Sequence, residues 1–149
     1  MASAAQGAGT TQRRRADGRV LAAIALGGAL GAPARYGVAQ LVHVGPHTFP
    51  WATFWTNVSG SLALGAVLGL VLERFPPSRY ARPFVATGFL GAYTTYSTFA
   101  VETDLLIKDG HAGTALAYAA ASLLVGFIAV WAGLTGARAV PLPRRGGTP

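Results

Sequence analysis

The sequence predicts an all-α membrane protein with four transmembrane helices, and three observations carry that prediction. Of 149 residues, 52% are hydrophobic and only 11% charged, against roughly 25% charged residues in soluble domains. The charges are also segregated: Trp51 to Leu72, Pro83 to Val101 and Ala112 to Ala137 contain no Asp, Glu, Lys or Arg. Each of these stretches approaches the ~20 residues that cross the hydrocarbon core of a bilayer. A fourth apolar stretch, Val20 to Val42, is interrupted by Pro33 and Arg35.

Taken in order, residues 1–19 are rich in Ala, Gly, Gln and Arg without periodicity and read as a disordered basic tail. The spans follow at about 20–42, 51–72, 83–107 and 112–137, forming one four-span unit over 20–138. Residues 139–149 read as a second disordered tail, because Pro-Leu-Pro-Arg-Arg-Gly-Gly-Thr-Pro cannot continue a helix. The first span has a rival reading as a signal peptide, with Ala32-Pro33-Ala34 as its cleavage site. The apolar pattern continues past Arg35 to Val42, which favours a span.

An even number of spans puts both termini and the connection between the second and third spans on one side. That side holds Arg13, Arg14, Arg15, Arg19, Arg74, Arg79, Arg82, Arg138, Arg144 and Arg145; the other holds Lys108 alone. Ten against one predicts both termini in the cytoplasm of a multi-pass cell (plasma) membrane protein. Cytoplasmic loops beside anionic lipid also account for the net charge of +7, so no nucleic-acid partner is expected. The absence of cysteine excludes disulfides and thiolate metal sites, and the three histidines show no ligand spacing.

Polar residues inside the spans carry the chemistry. Thr53, Asn57, Ser61 and Gly65 recur every four residues on one face of the second span, and Thr114, Tyr118, Ser122 and Gly126 repeat the device in the fourth. Such stripes either bond helix to helix or line a route for a solute. Gly27 with Gly31 and Gly65 with Gly69 are read as close-packing positions. From Gly88 the third span reads Gly-Phe-Leu-Gly-Ala-Tyr-Thr-Thr-Tyr-Ser-Thr-Phe, a poor continuous helix. A break there leaves backbone carbonyls free, and such backbone survives at membrane depth only when buried in protein or facing a wet cavity. Freed carbonyls suit a cation; half-helix termini and hydroxyls suit an anion. Tyr93, Tyr96 and Phe99 recur every three residues, which places them near one face, where ring edges are able to stabilise a small anion.

The run Gly88 to Glu102, Gly28-Ala29-Leu30-Gly31-Ala32 before Arg35-Tyr36, and Thr56-Asn57-Val58-Ser59-Gly60 together resemble the Fluc (CrcB) fluoride channels over all four spans. The resemblance implies an antiparallel, dual-topology dimer with two pores that passively exports fluoride and so reduces its toxicity. It implies that Asn57 donates hydrogen bonds to fluoride, that Tyr96 and Phe99 form an aromatic box, and that Thr53, Tyr118 and Ser122 continue the polar track. It further implies that Gly91 and Thr94 offer carbonyls to a structural sodium ion that is not transported. Two departures stand out: Gly91-Ala92 replaces the commoner Gly-Gly, and Tyr96 stands where Phe is usual. Arg35 is assigned either an anion-attracting or a packing role, and Glu102 a capping role at its end of the span.

Two other functions compete with this one. A small proton-coupled exporter needs a carboxylate deep in a span, whereas Glu102 and Asp104 lie near an end. A non-transporting membrane scaffold explains the packing glycines but not two polar stripes beside a broken helix. An enzyme is not expected, since no Ser-His pair or paired intramembrane carboxylates occur at useful spacing. The charge bias opposes insertion of one sequence in both orientations, so a homologous subunit of opposite orientation is the alternative to a homodimer.

Overall fold

The computed structural model describes residues 17–42, 45, 47–72 and 79–139, and among them every regular element is helical. Helix α1 spans Gly18–Leu41, and α2 spans Trp51–Val67 and runs on into a π-helical turn, Leu68–Leu72. The third span opens as a π-helix, Pro83–Leu90, and continues as the single turn α3, Gly91–Tyr93. After an extended break it resumes as α4, Tyr96–Lys108. Helix α5, Ala112–Ala139, completes the chain's regular structure.

Helix α1 starts earlier than the apolar pattern alone indicates, because Asp17 caps it: its Oδ1 accepts the Arg19 N–H at 3.1 Å. Gly18 and Arg19 therefore belong to the first helix rather than to the tail. Asp17 also pairs with Arg79 at 2.9 Å, tying the start of α1 to the approach to the third span. The tail residues 1–16 and 140–149, with Arg13, Arg14, Arg15, Arg144 and Arg145, lie outside the described residues, as does Arg74. At the opposite end a tight turn joins α4 to α5. His111 N–H donates to the Leu106 carbonyl at 2.8 Å and Gly110 N–H to that of Ile107 at 3.1 Å. Gly110 takes φ of +82°, so this is a Schellman ending in which a residue without Cβ reverses the chain.

Small residues set which helices touch. A Cβ on Gly27 would collide with the Phe84 carbonyl and one on Gly31 with that of Phe89, so α1 lies directly on the π-helical start of the third span. Gly65 and Gly133 do the same between α2 and α5, against the carbonyls of Val130 and Leu62. Close backbone approach replaces the hydrophobic drive that lipid cannot supply.

The outer faces are apolar. Only 17% of the most apolar stretch of α5 and 11% of that of α1 is buried. A core helix of a soluble domain buries such a stretch; here Leu116, Leu123, Leu124, Phe127, Ile128 and Trp131 of α5 face outward. The main cluster of buried side chains lies between α2, α4 and α5, around Phe54, Leu106, Ala115 and Tyr118.

Candidate functional site

The break in the third span is held by side chains. Thr94 turns to ψ of 160° and Thr95 is extended, with φ of −149° and ψ of 122°. Asn57 of α2 clasps Thr95 twice: its Oδ1 accepts the Thr95 N–H at 2.9 Å and its Nδ2 donates to the Thr95 carbonyl at 3.0 Å. Thr95 Oγ1 in turn caps α4 by accepting the Thr98 N–H at 3.2 Å. In a continuous helix those two N–H groups would return to the carbonyls of Gly91 and Thr94. Side chains take both donors instead, so neither carbonyl receives its regular helical hydrogen bond. Other hydroxyls bond back to their own helix, Thr94 to the Leu90 carbonyl at 2.9 Å and Thr103 to that of Phe99 at 2.7 Å.

Beside the break lies a cavity of about 380 Å³, bordered by Asn57, Ser61, Thr95, Tyr96, Phe99 and Ser122, with Gly91 and Thr94 on its wall. Asn57 has one amide hydrogen not committed to Thr95. Ser122 Oγ is buried without a hydrogen-bond partner among the described residues. A buried hydroxyl in that state costs about 1–3 kcal/mol, which a guest accepting its hydrogen would recover. The Tyr96 and Phe99 rings stand 6.1 Å apart at 38°. Tyr96 is 81% exposed and so lies at the open side of the chain.

Tyr93 corrects the reading of a single aromatic face. It stacks on Phe89, with centroids 6.0 Å apart, and its hydroxyl lies 2.9 Å from Ser59 Oγ. The extended residues Thr94 and Thr95 reset the helical phase, so spacing counted across them has no geometric meaning.

The two polar stripes face one another along α2 and α5, where Ser61 Oγ lies 3.8 Å from the position of a Cβ on Gly126. Thr53 and Tyr118 do not border the 380 Å³ cavity. They hold Glu102, whose two carboxylate oxygens accept Thr53 Oγ1–H and Tyr118 O–H, each at 2.8 Å. Glu102 borders a second cavity of about 550 Å³ near the α4–α5 turn, together with His47 and Asp109. The Tyr118 ring is 5.0 Å from that of Phe99, so an aromatic and polar chain runs from one cavity to the other. Arg35 is half-buried on α1 and borders neither.

Ser61 was legible in the stripe of α2, whereas Thr95, Ser59 and Gly60 take parts that spacing does not signal. Thr95 is the bonded centre of the break, which the crowd of glycines and hydroxyls from Gly88 to Thr98 signals without singling it out. Among the described residues no group of three His, Cys, Asp or Glu side chains is placed to hold a metal.

These features define an all-α membrane protein whose interrupted helix opens onto a small cavity of hydroxyls, an amide and aromatic rings. The sequence model of the CrcB-like proteins, described as Camphor Resistance (CrcB), matches residues 22–134, and the chain belongs to that family. It is 48% identical over 122 residues to the fluoride-specific ion channel FluC 3 of Streptomyces avermitilis, covering 82% of this chain and 60% of that one. It is 46% identical over 104 residues to FluC 2 of the same organism, covering 70% and 66%. Against the fluoride-specific ion channel FluC 1 of Mycobacterium bovis it is 46% identical over 114 residues, covering 76% and 86%. The chain thus spans about two thirds or less of the length of the two Streptomyces relatives and most of the mycobacterial one.

Proposed function

We propose that this chain forms a fluoride-selective channel of the cell membrane that lets fluoride leave the cytoplasm passively and so limits its toxicity. One observation carries the reading. In a chain whose relatives are named fluoride-specific ion channels, Asn57, Ser122, Tyr96 and Phe99 meet at one cavity beside a helix break. Fluoride is small and strongly hydrated, and its water is replaced only by several donors acting together. The free Asn57 amide hydrogen, the unpartnered Ser122 hydroxyl and ring edges are such donors, and none carries a full charge that would trap the ion. Thr53 and Tyr118 extend the polar chain to Glu102, to which each donates its hydroxyl hydrogen.

The carbonyls of Gly91 and Thr94, which lose their regular helical donors, are ligands of the kind that suits a hard cation, and they support a structural sodium ion at the break. Two carbonyls fall short of a coordination shell, so the same pair from a second subunit would complete it. An antiparallel dimer, of this chain or with a homologous subunit of opposite orientation, meets that need and covers the exposed Tyr96. With a homologous partner of opposite orientation, both termini of this chain face the cytoplasm, as the arginine bias favours.

The test is growth of a bacterial strain lacking its own fluoride exporter. The chain, alone or with a homologous partner, restores growth on millimolar fluoride, and Phe99→Ile abolishes the rescue. No rescue by a chain that reaches the membrane in either setting contradicts the reading.

A further inference from the structure

Three successive residues of the third span are each engaged by one turn of α2. Ser59 Oγ shares a hydrogen bond with the Tyr93 hydroxyl at 2.9 Å. Gly60 is the socket for Thr94: a Cβ there would collide with Thr94 Cγ2 and stand 3.3 Å from Tyr93 Cδ1. Asn57 takes both the N–H and the carbonyl of Thr95, as a neighbouring β-strand would. These contacts coincide with the point where the helix stops. Thr95 N–H, drawn to Asn57, is the donor that would otherwise satisfy Gly91.

We propose that the Asn57–Gly60 turn of α2 is a template that fixes the break, and that Asn57 is a positioning residue as well as a cavity-lining one. By withdrawing the Thr95 N–H it exposes the Gly91 carbonyl, and by setting Thr95 extended it lets Thr95 Oγ1 cap α4. The first turn of α4, which carries Tyr96 and Phe99, is thereby aimed at the cavity. The role of this turn in permeation rests on the channel reading above; its role in shaping the backbone does not. Ser59 and Gly60 join Asn57 as determinants of the site, although neither borders it with a polar side chain.

The experiment pairs hydrogen exchange of the Thr95 amide, in nanodiscs, with fluoride efflux from liposomes. In the unaltered chain the Thr95 amide is protected. Asn57→Ser removes the acceptor and loses that protection, while the amides of α5 around Ala129 stay protected and report an intact fold. Gly60→Ala loses the protection and lowers efflux by about 100-fold, the cost of a displacement near 1 Å at a site that works by positioning. Adding Thr94→Ser removes the methyl that the new Cβ strikes, and recovers both protection and efflux relative to Gly60→Ala alone. Unchanged protection in Asn57→Ser overturns the proposal, and so does a double variant no better protected than Gly60→Ala. Absence of fluoride efflux from the unaltered chain, alone and with a homologous partner, overturns the channel reading alone, since the exchange measurement still decides whether the template exists.

Discussion

At the scale of single residues, the polar groups divide between those that guests can reach and those already engaged. Tyr118 is wholly buried, and its hydroxyl is one of two donors to Glu102. Tyr118→Phe leaves one carboxylate oxygen without that donor, so the fold loses about 1–3 kcal/mol, read as a lower midpoint in thermal or denaturant unfolding. Tyr96 is the opposite case. Its ring lies on the open side of the chain, so Tyr96→Phe leaves the unfolding midpoint within error and alters only the efflux rate. A matched loss of stability would show that the hydroxyl has a structural partner. The contrast between the two tyrosines was not legible in the sequence. Both are hydroxylated rings in a span, and only the packing of α4 on α5 decides which is sealed.

At the scale of the elements, glycines decide which helix surfaces meet, and their effects differ sharply along one helix. On α5, a Cβ at Gly133 would strike the Leu62 carbonyl, whereas one at Gly136 meets nothing within 4 Å. Gly133→Ala therefore forces α2 and α5 apart and costs about 1–3 kcal/mol or more, as overpacking does. Gly136→Ala gains up to ~1 kcal/mol from helix propensity. Comparative unfolding of the two variants checks this pair, and equal effects would contradict the assigned contact. The spans themselves were legible because charge is excluded from them and little else is demanded of them. The broken third helix was legible too, since glycines and hydroxyls crowd from Gly88 to Thr98. Its exact seat was not, because Thr94 and Thr95 are set by Asn57 and Gly60, which lie more than thirty positions away. Residues Leu68–Leu72 and Pro83–Leu90 gave no warning of their π-helical form, since a π-helix is rare and has no composition signal of its own.

At the scale of the whole molecule, one chain exposes long apolar faces and leaves the Tyr96 ring at its open side, so the functional unit proposed here holds more than one copy of this fold. The chain contains no cysteine, which makes single introduced cysteines clean reporters of orientation. With both termini cytoplasmic, Lys108→Cys reacts with a membrane-impermeant maleimide from outside the cell, and a cysteine replacing Arg79 does not. Labelling at both positions in comparable yield would instead show that one sequence inserts both ways and needs no homologous partner. The four-span architecture and the membership of Asn57, Phe99 and Ser122 in one site follow from pattern and resemblance; the division of the polar track by Glu102 needed the fold, because Thr53, Glu102 and Tyr118 are brought together from three helices. The central claim is selective, passive fluoride movement, and its most direct test is ion efflux from liposomes under matched fluoride and chloride gradients, with Phe99→Ile alongside. A selective channel gives rapid fluoride efflux, no comparable chloride efflux, and loss of the fluoride signal in the variant; equal passage of chloride, or fluoride efflux unaffected by Phe99→Ile, rules it out.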